Sequence, residues 1–348
     1  MDSELTMLDR FQRAVLRKEV DKVPVCSVTQ TGVMDLMNLT GTSWPKAFTD
    51  PGEMTALAMA GYEIAGLEAV RYPFTSFDLP LAFGCSFSGG TSVSPPHLTD
   101  FPCKTLKEAE NFVVPDHLYE NSYVQIMLET TDALRQQIDE KGYELPLIAG
   151  IVGPTSLTSC FIGVNNFLFW CVREPDVLAG LFSLCSEICV EYANILCDRG
   201  ADSVLIIDSE CGPDLFPPPL FESMVLPLYK KMTPKMNPLN ILHMCGDATL
   251  ILDPIAKSGF SAVSLEEKTD MSYASLSVGK DICLVGNVSP ANELLLQSPE
   301  AVKNAAKQCI EDGVGILAPG CGLAPYTPLS NIQAFVAARD EYYLEKSK

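Results

Sequence analysis

The sequence is poor in basic residues. Its 348 residues include 24 Lys and Arg against 44 Asp and Glu, which gives a formal net charge of -20 at pH 7. Proteins that bind nucleic acid need basic patches to meet the phosphates, so this composition argues against a nucleic-acid partner. We attribute the acidity to solubility. An anionic substrate would then need a local positive site, such as a metal ion.

Targeting and membrane-spanning segments are also lacking. The N-terminus carries Asp2, Glu4, Asp9 and Arg10 in place of the apolar core of a signal peptide. No apolar run reaches the length of a membrane span, and neither an internal repeat nor a low-complexity linker is evident. We therefore expect a cytoplasmic protein with no membrane partner.

Histidine is scarce and cysteine is plentiful. The chain has three histidines and thirteen cysteines. His97 and His117 have no metal-ligand spacing to any other residue, which leaves His243 as the candidate. An odd number of cysteines scattered along a long chain is unlike a disulfide framework and fits a reducing compartment. Most of these cysteines are expected to be small core residues.

His243 and Cys245 form a His-x-Cys pair, and Cys321 lies far downstream. On an extended strand, residues i and i+2 point to the same face, so both side chains of the pair can meet one ion. One nitrogen and two thiolates suit zinc, and three protein ligands leave a fourth position open, as in catalytic zinc sites. The alternative is a chance pair at a packed strand end. Both cysteines follow strand-like runs and are flanked by glycine, which favours the metal site.

Strand and helix patterns alternate along the chain. Strands are predicted at 23–28, 67–72, 145–151, 203–207, 262–265, 282–285 and 314–318, with another that begins at Leu239 and carries His243 and Cys245. Helices are predicted at 4–19, 51–66, 121–141, 165–199, 218–234, 292–311 and 328–345. This order predicts the α/β class, as a (β/α)8 TIM barrel with an N-terminal helical extension and an insertion near residues 85–120. We expect one domain over residues 1–348.

Polar residues gather at the predicted ends of several strands. In TIM barrels the chemistry lies at the C-terminal ends of the strands. The residues predicted there are Gln30, Asp208, His243, Cys245, Glu266, Asn287 and Cys321. Because they come from different strands yet converge on one mouth, the metal hypothesis becomes much stronger than the chance alternative.

The chain resembles the uroporphyrinogen decarboxylase superfamily over nearly its whole length. The matching segments are Asp21–Val25, Gly153–Thr155, Asp208, His243–Gly246, Val285–Val288, Pro319–Gly322, Thr327–Pro328 and Asn331. Within the superfamily it is most similar to the archaeal methylcobalamin:coenzyme M methyltransferases, at Lys22–Gly32, Val263–Lys268 and Leu317–Gly322. The zinc motif of that family, His-x-Cys with a distant Cys, falls on His243, Cys245 and Cys321.

The resemblance implies methyl transfer in methanogenesis. The donor would be a methylated corrinoid carried by a small protein, and the acceptor would be coenzyme M, a thiol with a sulfonate tail. A free thiol is mostly protonated at neutral pH, and coordination to zinc turns it into a nucleophilic thiolate. Two alternatives stay open: a corrinoid-dependent methyltransferase with another thiol acceptor, and a non-catalytic docking partner of a corrinoid protein.

Decarboxylation of a tetrapyrrole is rejected. The true decarboxylases carry two arginines around the Gln-x-Gly that follows the first strand, and these bind porphyrin carboxylates. Thr29 and Val33 stand at the corresponding positions here. Neither side chain can hold a carboxylate, so the shared fold alone does not decide the reaction.

Five further residues are candidates around the metal. Glu266 is a candidate fourth ligand or a hydrogen-bonding partner of His243, with loop capping as an equal alternative. Arg71 is the nearest plausible partner of a sulfonate, although a surface ion pair is the commoner role of an arginine. Asp208 either orients His243 or caps a loop. Asn287 either contacts substrate or shapes a turn, and the role of Gln30 in substrate binding rests on the resemblance. The 85–120 insertion and Phe216–Pro219 are predicted to frame the mouth, with the alternative that the insertion covers only the bottom or the side of the barrel.

Overall fold

The computed structural model of the chain describes residues 4–347. Nine strands lie within that range: β1 (Val70–Tyr72), β2 (Ser86–Phe87), β3 (Leu98–Asp100), β4 (Leu147–Val152), β5 (Ser203–Ile207), β6 (Asn240–Met244), β7 (Ala262–Leu265), β8 (Cys283–Val288) and β9 (Ile316–Pro319). Seven of them form one parallel sheet in the order β1-β4-β5-β6-β7-β8-β9, and β2 pairs with β3 as an antiparallel hairpin.

Helices cover the outside of the parallel sheet, as crossovers between parallel strands require. The α-helices of the described residues are α1 (Met7–Val15), α2 (Met34–Thr40), α3 (Pro51–Glu63), α4 (Asp78–Ala82), α5 (Leu106–Glu110), α6 (Ser122–Glu140), α7 (Pro154–Ile162), α8 (Val164–Arg173), α9 (Pro175–Asp198), α10 (Pro218–Leu220), α11 (Leu226–Met232), α12 (Leu252–Ala256), α13 (Met271–Val278), α14 (Pro299–Glu311) and α15 (Leu329–Lys346). Segments Phe221–Val225 and Pro290–Leu295 contain π-helical turns.

The segment predicted as the first strand closes the ring between β1 and β9. The N–H of Glu68 donates to the carbonyl of Val25 at 2.8 Å, and the N–H of Cys26 donates to the carbonyl of Leu317 at 3.0 Å. Val25 forms a single parallel bridge with Leu317 rather than a regular ladder. The prediction of an α/β barrel is therefore confirmed, whereas the prediction of a full first strand is wrong, because only its middle residues pair on both sides.

Inward-facing side chains fill the barrel from its N-terminal end. One buried cluster joins Phe11, Ala14 and Val15 of α1 to residues of the barrel wall, Cys26, Ile148, Leu205, Ile241, Cys283 and Ile316. Helix α1 thus covers that end of the barrel. Because the lower barrel is packed, chemistry must take place at the other end, where the strands finish, and this end is called the mouth below.

The long helix predicted over 165–199 is two helices instead, α8 and α9, and α7 precedes them. Helices α7 and α8 meet at an angle of 107° around Gly163, whose φ is 78°. Helix α9 then begins at Pro175, and proline favours the first position of a helix because it has no N–H to leave unpaired. Gly163 thus separates α7 from α8, and Pro175 divides the helix predicted over 165–199 into α8 and α9.

Helix α9 is the one helix of residues 4–347 that is long and apolar enough to cross a membrane, by length and composition alone. The expectation that no segment reaches that length is wrong on this measure. Half of its most apolar window is buried inside the fold, where Phe182, Cys189 and Tyr192 belong to the main core. A core helix of a barrel has this composition because both the sheet and neighbouring helices cover it.

The insertion lies on the mouth side of the barrel. A cavity of about 430 Å³ is lined by Gly89 of the insertion and by Pro73 and Thr75, which follow β1. The N–H of Cys103 also donates to the carbonyl of Phe161, near the end of α7, at 3.0 Å. By contrast, Phe216 is buried and packs between other aromatic rings, so it belongs to the core rather than to a frame around the mouth.

Candidate metal centre

Strand β6 delivers two of the three proposed ligands. His243 lies in the strand, opposite Ile207 of β5 and Ser264 of β7, and Cys245 directly follows the strand end. The imidazole is 2% exposed. Gly246 then turns the chain with a φ of 79°, and a Cβ there would lie 2.4 Å from Asp214 Oδ2. A glycine is required because both the backbone angle and the close approach exclude a side chain.

The third proposed ligand comes from the loop after β9. Cys321 Sγ lies 3.6 Å from His243 Nε2, and Cys245 Sγ lies 3.3 Å from the same nitrogen. The two sulfurs are 3.9 Å apart. A tetrahedral zinc, with Zn–S near 2.3 Å and Zn–N near 2.0 Å, would space two sulfurs by about 3.8 Å and a sulfur and a nitrogen by about 3.5 Å. The three donor atoms thus have the spacing of a shared ion.

This triangle stands alone among residues 4–347 as a group of three or more His, Cys, Asp or Glu side chains whose ligand atoms all lie within 4.8 Å of one another. Glu266 is not a member of it. The structure therefore brings together the His-x-Cys pair and the distant cysteine, and it leaves the candidate fourth ligand outside the triangle.

Ser264 fixes the orientation of the imidazole. Its Oγ lies 3.1 Å from His243 Nδ1, and both atoms are buried. A proton on Nδ1 donated to Ser264 leaves Nε2 with a lone pair that faces the two sulfurs, which is the tautomer a metal needs. Sequence reasoning missed Ser264, although it lies directly opposite His243 in the β6–β7 register.

The two thiols influence each other's protonation. A hydrogen bond from Cys245 lowers the pKa of Cys321, although burial opposes that effect. The same hydrogen bond, together with burial, raises the pKa of Cys245 to about 12. Cys321 therefore takes up the thiolate form more readily than Cys245, and the thiolate is the form that binds a metal.

Gln30 ties the first barrel segment to the loop that carries Cys321. Its side-chain amide donates to the carbonyl of Leu323, its side-chain oxygen accepts the N–H of Gly32 at 2.7 Å, and its backbone carbonyl accepts the N–H of Leu323 at 3.1 Å. Both ends of the amide are engaged with the protein. The structure thus gives Gln30 a positioning contact rather than a free group for substrate.

Glu266 and Asn287 hold the loop after β7. Glu266 accepts the N–H of Gly246 at 2.6 Å and pairs with Lys268 at 3.3 Å. The Asn287 amide donates to the backbone carbonyls of Glu266 and Thr269 at 3.2 and 2.8 Å. Asn287 therefore uses its amide donors on the loop after β7, and Glu266 joins that loop to the turn next to Cys245.

Asp208 lies at the end of β5 and is fully buried. Its carboxylate accepts hydrogen bonds from Thr155 Oγ1 at 2.6 Å, the N–H of Ser156 at 2.7 Å and Tyr229 OH at 2.6 Å. Burial raises its pKa, and these bonds oppose that rise. The carboxylate thus anchors α7 and α11 to the strand. Asp208 was predicted to orient His243, but the imidazole of His243 has Ser264 as its partner instead.

Arg71 is buried inside the barrel and is not part of a surface ion pair. Its side chain is 3% exposed, and Nε donates to the carbonyl of Val28 at 3.0 Å. Its Nη1 has no hydrogen-bond partner among residues 4–347, and a Cβ at position 150 would lie 2.3 Å from Nη2, so Gly150 makes room for it. Burial lowers the pKa of Arg71 to about 9, with Cys321 opposing the change. Arg71 therefore remains a cation at neutral pH with donors to spare.

The sequence profile of the uroporphyrinogen decarboxylase family matches residues 6–342. The chain belongs to this family. Members of the family share the barrel, and the resemblance predicted from the segments above is confirmed. Because the family contains more than one reaction, membership alone does not decide which reaction this member performs.

Two curated relatives are similar to this family member along its whole length. Methylcobamide:CoM methyltransferase MtaA of Methanosarcina barkeri is 39% identical over 342 residues, which cover 98% of this chain and 99% of that protein. Methylcobamide:CoM methyltransferase MtbA of Methanosarcina acetivorans is 32% identical over 345 residues, with 98% and 99% coverage.

A solved structure of a methyltransferase from Methanosarcina mazei superposes with a TM-score of 0.93 at 38% identity, covering 98% of this chain and all of that one. The barrel of this family member is therefore closely similar to the barrel of that methyltransferase.

Proposed function

We propose that this protein is a methyltransferase that moves a methyl group from a methylcobamide to the thiol of coenzyme M. The observation that carries the proposal is the triangle of His243 Nε2, Cys245 Sγ and Cys321 Sγ at the mouth, with donor spacings of 3.3 to 3.9 Å. Two relatives at 39% and 32% identity bear the name of this activity. The donor would be carried to the mouth by a corrinoid protein.

The proposed metal is zinc, because one imidazole and two thiolates are ligands it prefers and they leave a fourth position for substrate. When bound, zinc would stabilise the thiolate form of an incoming thiol, which is the nucleophilic form. The protein's part is to hold the three donors. Ser264 orients His243, and Gln30 fixes the loop that carries Cys321. Glu266 supports the turn at Gly246, so we assign it that role rather than fourth ligand.

Arg71 is the proposed binding partner of the sulfonate. A buried guanidinium with an unpartnered Nη1 has a desolvation cost that an anionic ligand would offset. The guanidinium also presents donors in the planar arrangement that matches an oxyanion. Cys321 opposes the fall in the pKa of Arg71, which supports a position of the guanidinium near the thiols. A thiol with an anionic tail would therefore be held at both ends.

We also propose that residues 1–348 act as one domain. Glu68, which precedes β1, pairs with Arg10 of α1 at 3.2 Å and with Arg339 of α15 at 2.6 Å. All three side chains are buried. An ion pair buried at this depth is costly to break, so α1 and α15 are both held to the barrel.

The test follows methyl transfer from free methylcobalamin. We expect the cobalt spectrum to change from methyl-Co(III) to Co(I) when coenzyme M is added to the purified protein loaded with zinc. Thiols without a sulfonate should react more slowly. A faster reaction with another thiol would replace the proposed acceptor. Absence of any transfer, with a folded protein that still binds a corrinoid protein, would favour the docking role instead.

A further inference from the structure

Cys245 and Cys321 are both accessible and close to each other. Nine of the thirteen cysteines are buried, and the partly exposed ones are Cys160, Cys197, Cys245 and Cys321. Within residues 4–347, the sulfurs of Cys245 and Cys321 form the one thiol–thiol hydrogen bond, at 3.9 Å. An oxidant from solution can therefore reach two thiols that are already in contact.

Both cysteines lie beyond the ends of their strands. Cys245 directly follows β6 and precedes Gly246, whose φ is 79°. Cys321 stands between Gly320 and Gly322 in the loop after β9. A disulfide has its sulfurs at about 2.05 Å, so the two sulfurs have to approach each other by about 2 Å in total. Rotation of the two side chains with a small shift of the loops supplies this movement, and the strands can stay in place.

The loop of Cys321 is packed closely against its neighbours. A Cβ at Gly322 would lie 2.7 Å from Gln30 Cγ, and a Cβ at Gly320 would lie 2.8 Å from the backbone nitrogen of Glu267. Contacts this close leave the loop little room to move away. They therefore keep Cys321 beside Cys245 while the sulfurs react.

We propose that Cys245 and Cys321 are a reversible oxidation site, at which a hydroperoxide converts the two thiols into a disulfide when no metal ion holds them. This inference rests on the proposed function, because the disulfide would regulate the proposed metal site. The two thiols are oxidised and lose two electrons and two protons, and an S–S bond forms. With hydrogen peroxide, the O–O bond breaks, and the peroxide takes up these electrons and protons to become two molecules of water.

The disulfide and the metal ion exclude each other. Oxidation consumes two of the three donor atoms and leaves His243 alone. It also protects the sulfurs, because a sulfenic acid beside a second thiol condenses with it before it is oxidised further to a sulfinic acid. Two molecules of a free thiol, the proposed acceptor included, reverse the oxidation by thiol–disulfide exchange and leave as their own disulfide.

The experiment treats the full-length protein, freed of metal with a chelator, with hydrogen peroxide. Alkylation of the denatured protein followed by mass spectrometry counts the free thiols, and peptide mapping identifies any cross-link. We expect two fewer free thiols than the thirteen of the reduced chain, with Cys245 and Cys321 in one cross-linked pair of peptides. Dithiothreitol should restore all thirteen. Protein loaded with zinc should lose these two thiols more slowly.

Two variants separate the pair from an isolated thiol. Cys245→Ser should form no cross-link, and its Cys321 should instead be oxidised to a sulfinic acid that dithiothreitol does not reverse. Cys197→Ala is the matched control, because Cys197 is also a partly exposed free thiol but lies on α9. This control should form the same cross-link as the parent. Circular dichroism verifies that both variants fold.

Three results with the metal-free parent would each overturn the oxidation site. They are sulfinic acids on Cys245 and Cys321 without a cross-link, a cross-link from either residue to a different cysteine, and two reduced thiols after other cysteines have been oxidised. Equal rates of oxidation with and without zinc would overturn the mutual exclusion. Failure of the proposed function is a separate result, because reduced, zinc-loaded protein would then transfer no methyl group from methylcobalamin to coenzyme M.

Discussion

Cys245 Sγ and Cys321 Sγ lie 3.9 Å apart, although the two residues are 76 positions apart in the sequence. A disulfide would need about 2.05 Å between the sulfurs, whereas two thiolates on one tetrahedral zinc are separated by about 3.8 Å. The closed barrel therefore brings two reduced cysteines to the separation that a shared metal requires.

Replacement of Cys321 by Ala should remove the metal and the activity while the barrel stays folded. Two ligands bind zinc far more weakly than three, and the residue lies in a loop rather than in the core. Zinc content per chain after gel filtration is the measurement, with about one zinc expected for the parent. Cys197→Ala is the matched control, because Cys197 is a half-exposed free thiol on α9. Full zinc content in Cys321→Ala would remove that residue from the ligand set.

Replacement of Ser264 by Ala should weaken metal binding without removing a ligand. His243 Nδ1 would lose its partner at 3.1 Å, and the imidazole would no longer be held in the tautomer that leaves Nε2 free. Loss of such a partner typically lowers metal affinity by about 10–100-fold. Competition with a chelator measures the affinity, and Ser264→Thr, which keeps the hydroxyl, should restore it. Equal affinities in Ser264→Ala and the parent would contradict the positioning role.

Replacement of Arg71 by Met should raise the KM for coenzyme M by about 10–100-fold, the expected loss for a hydrogen bond to a charged group. A thiol without an anionic tail, such as 2-mercaptoethanol, should react at the same rate with the variant and the parent. Steady-state kinetics with both thiols separate the two outcomes. If the variant slows both thiols equally, Arg71 supports the fold of the mouth rather than the sulfonate.

Asp78 should make stability depend on pH. Its carboxyl is buried, which raises the pKa from 3.8 to about 6, against the effect of the hydrogen bond from Tyr192. Between these values the folded state holds a proton that the unfolded state has released, so the free energy of unfolding should decrease as pH rises through this window. The change is on the order of 2–3 kcal/mol for a shift of about two units.

Urea unfolding of the parent and Asp78→Asn at several pH values tests this dependence. The variant keeps an oxygen acceptor for Tyr192 but has no proton to release. The stability of Asp78→Asn relative to the parent should therefore increase from about pH 4 to about pH 6 and then level off. A difference that is constant across this window would show that Asp78 does not titrate there.

Local sequence patterns predicted most of the barrel because each strand is a short apolar run with a polar residue at its end. Strand β5, for instance, is apolar over Val204–Ile207 and is buried on both faces. The exceptions were positions where one residue overrides the pattern. Pro175 divides the helix predicted over 165–199 into α8 and α9, and the segment at Val25 makes one bridge rather than a ladder.

The sequence by itself determined the donor atoms of the candidate site. The alternation of side chains along a strand places His243 and Cys245 on one face, and the glycine-flanked Cys321 follows another strand of the same barrel. Residue type and local spacing are enough for this inference, since both are properties of a few consecutive residues.

Only the tertiary structure decided which polar groups at the mouth remain free. Asp208, Gln30 and Asn287 use their side chains on partners from distant segments, whereas Arg71 keeps an unpartnered Nη1. Hydrogen bonds of this kind join residues that are tens to hundreds of positions apart. They exist only after the barrel has closed, because closure alone sets the distances between loops that follow different strands.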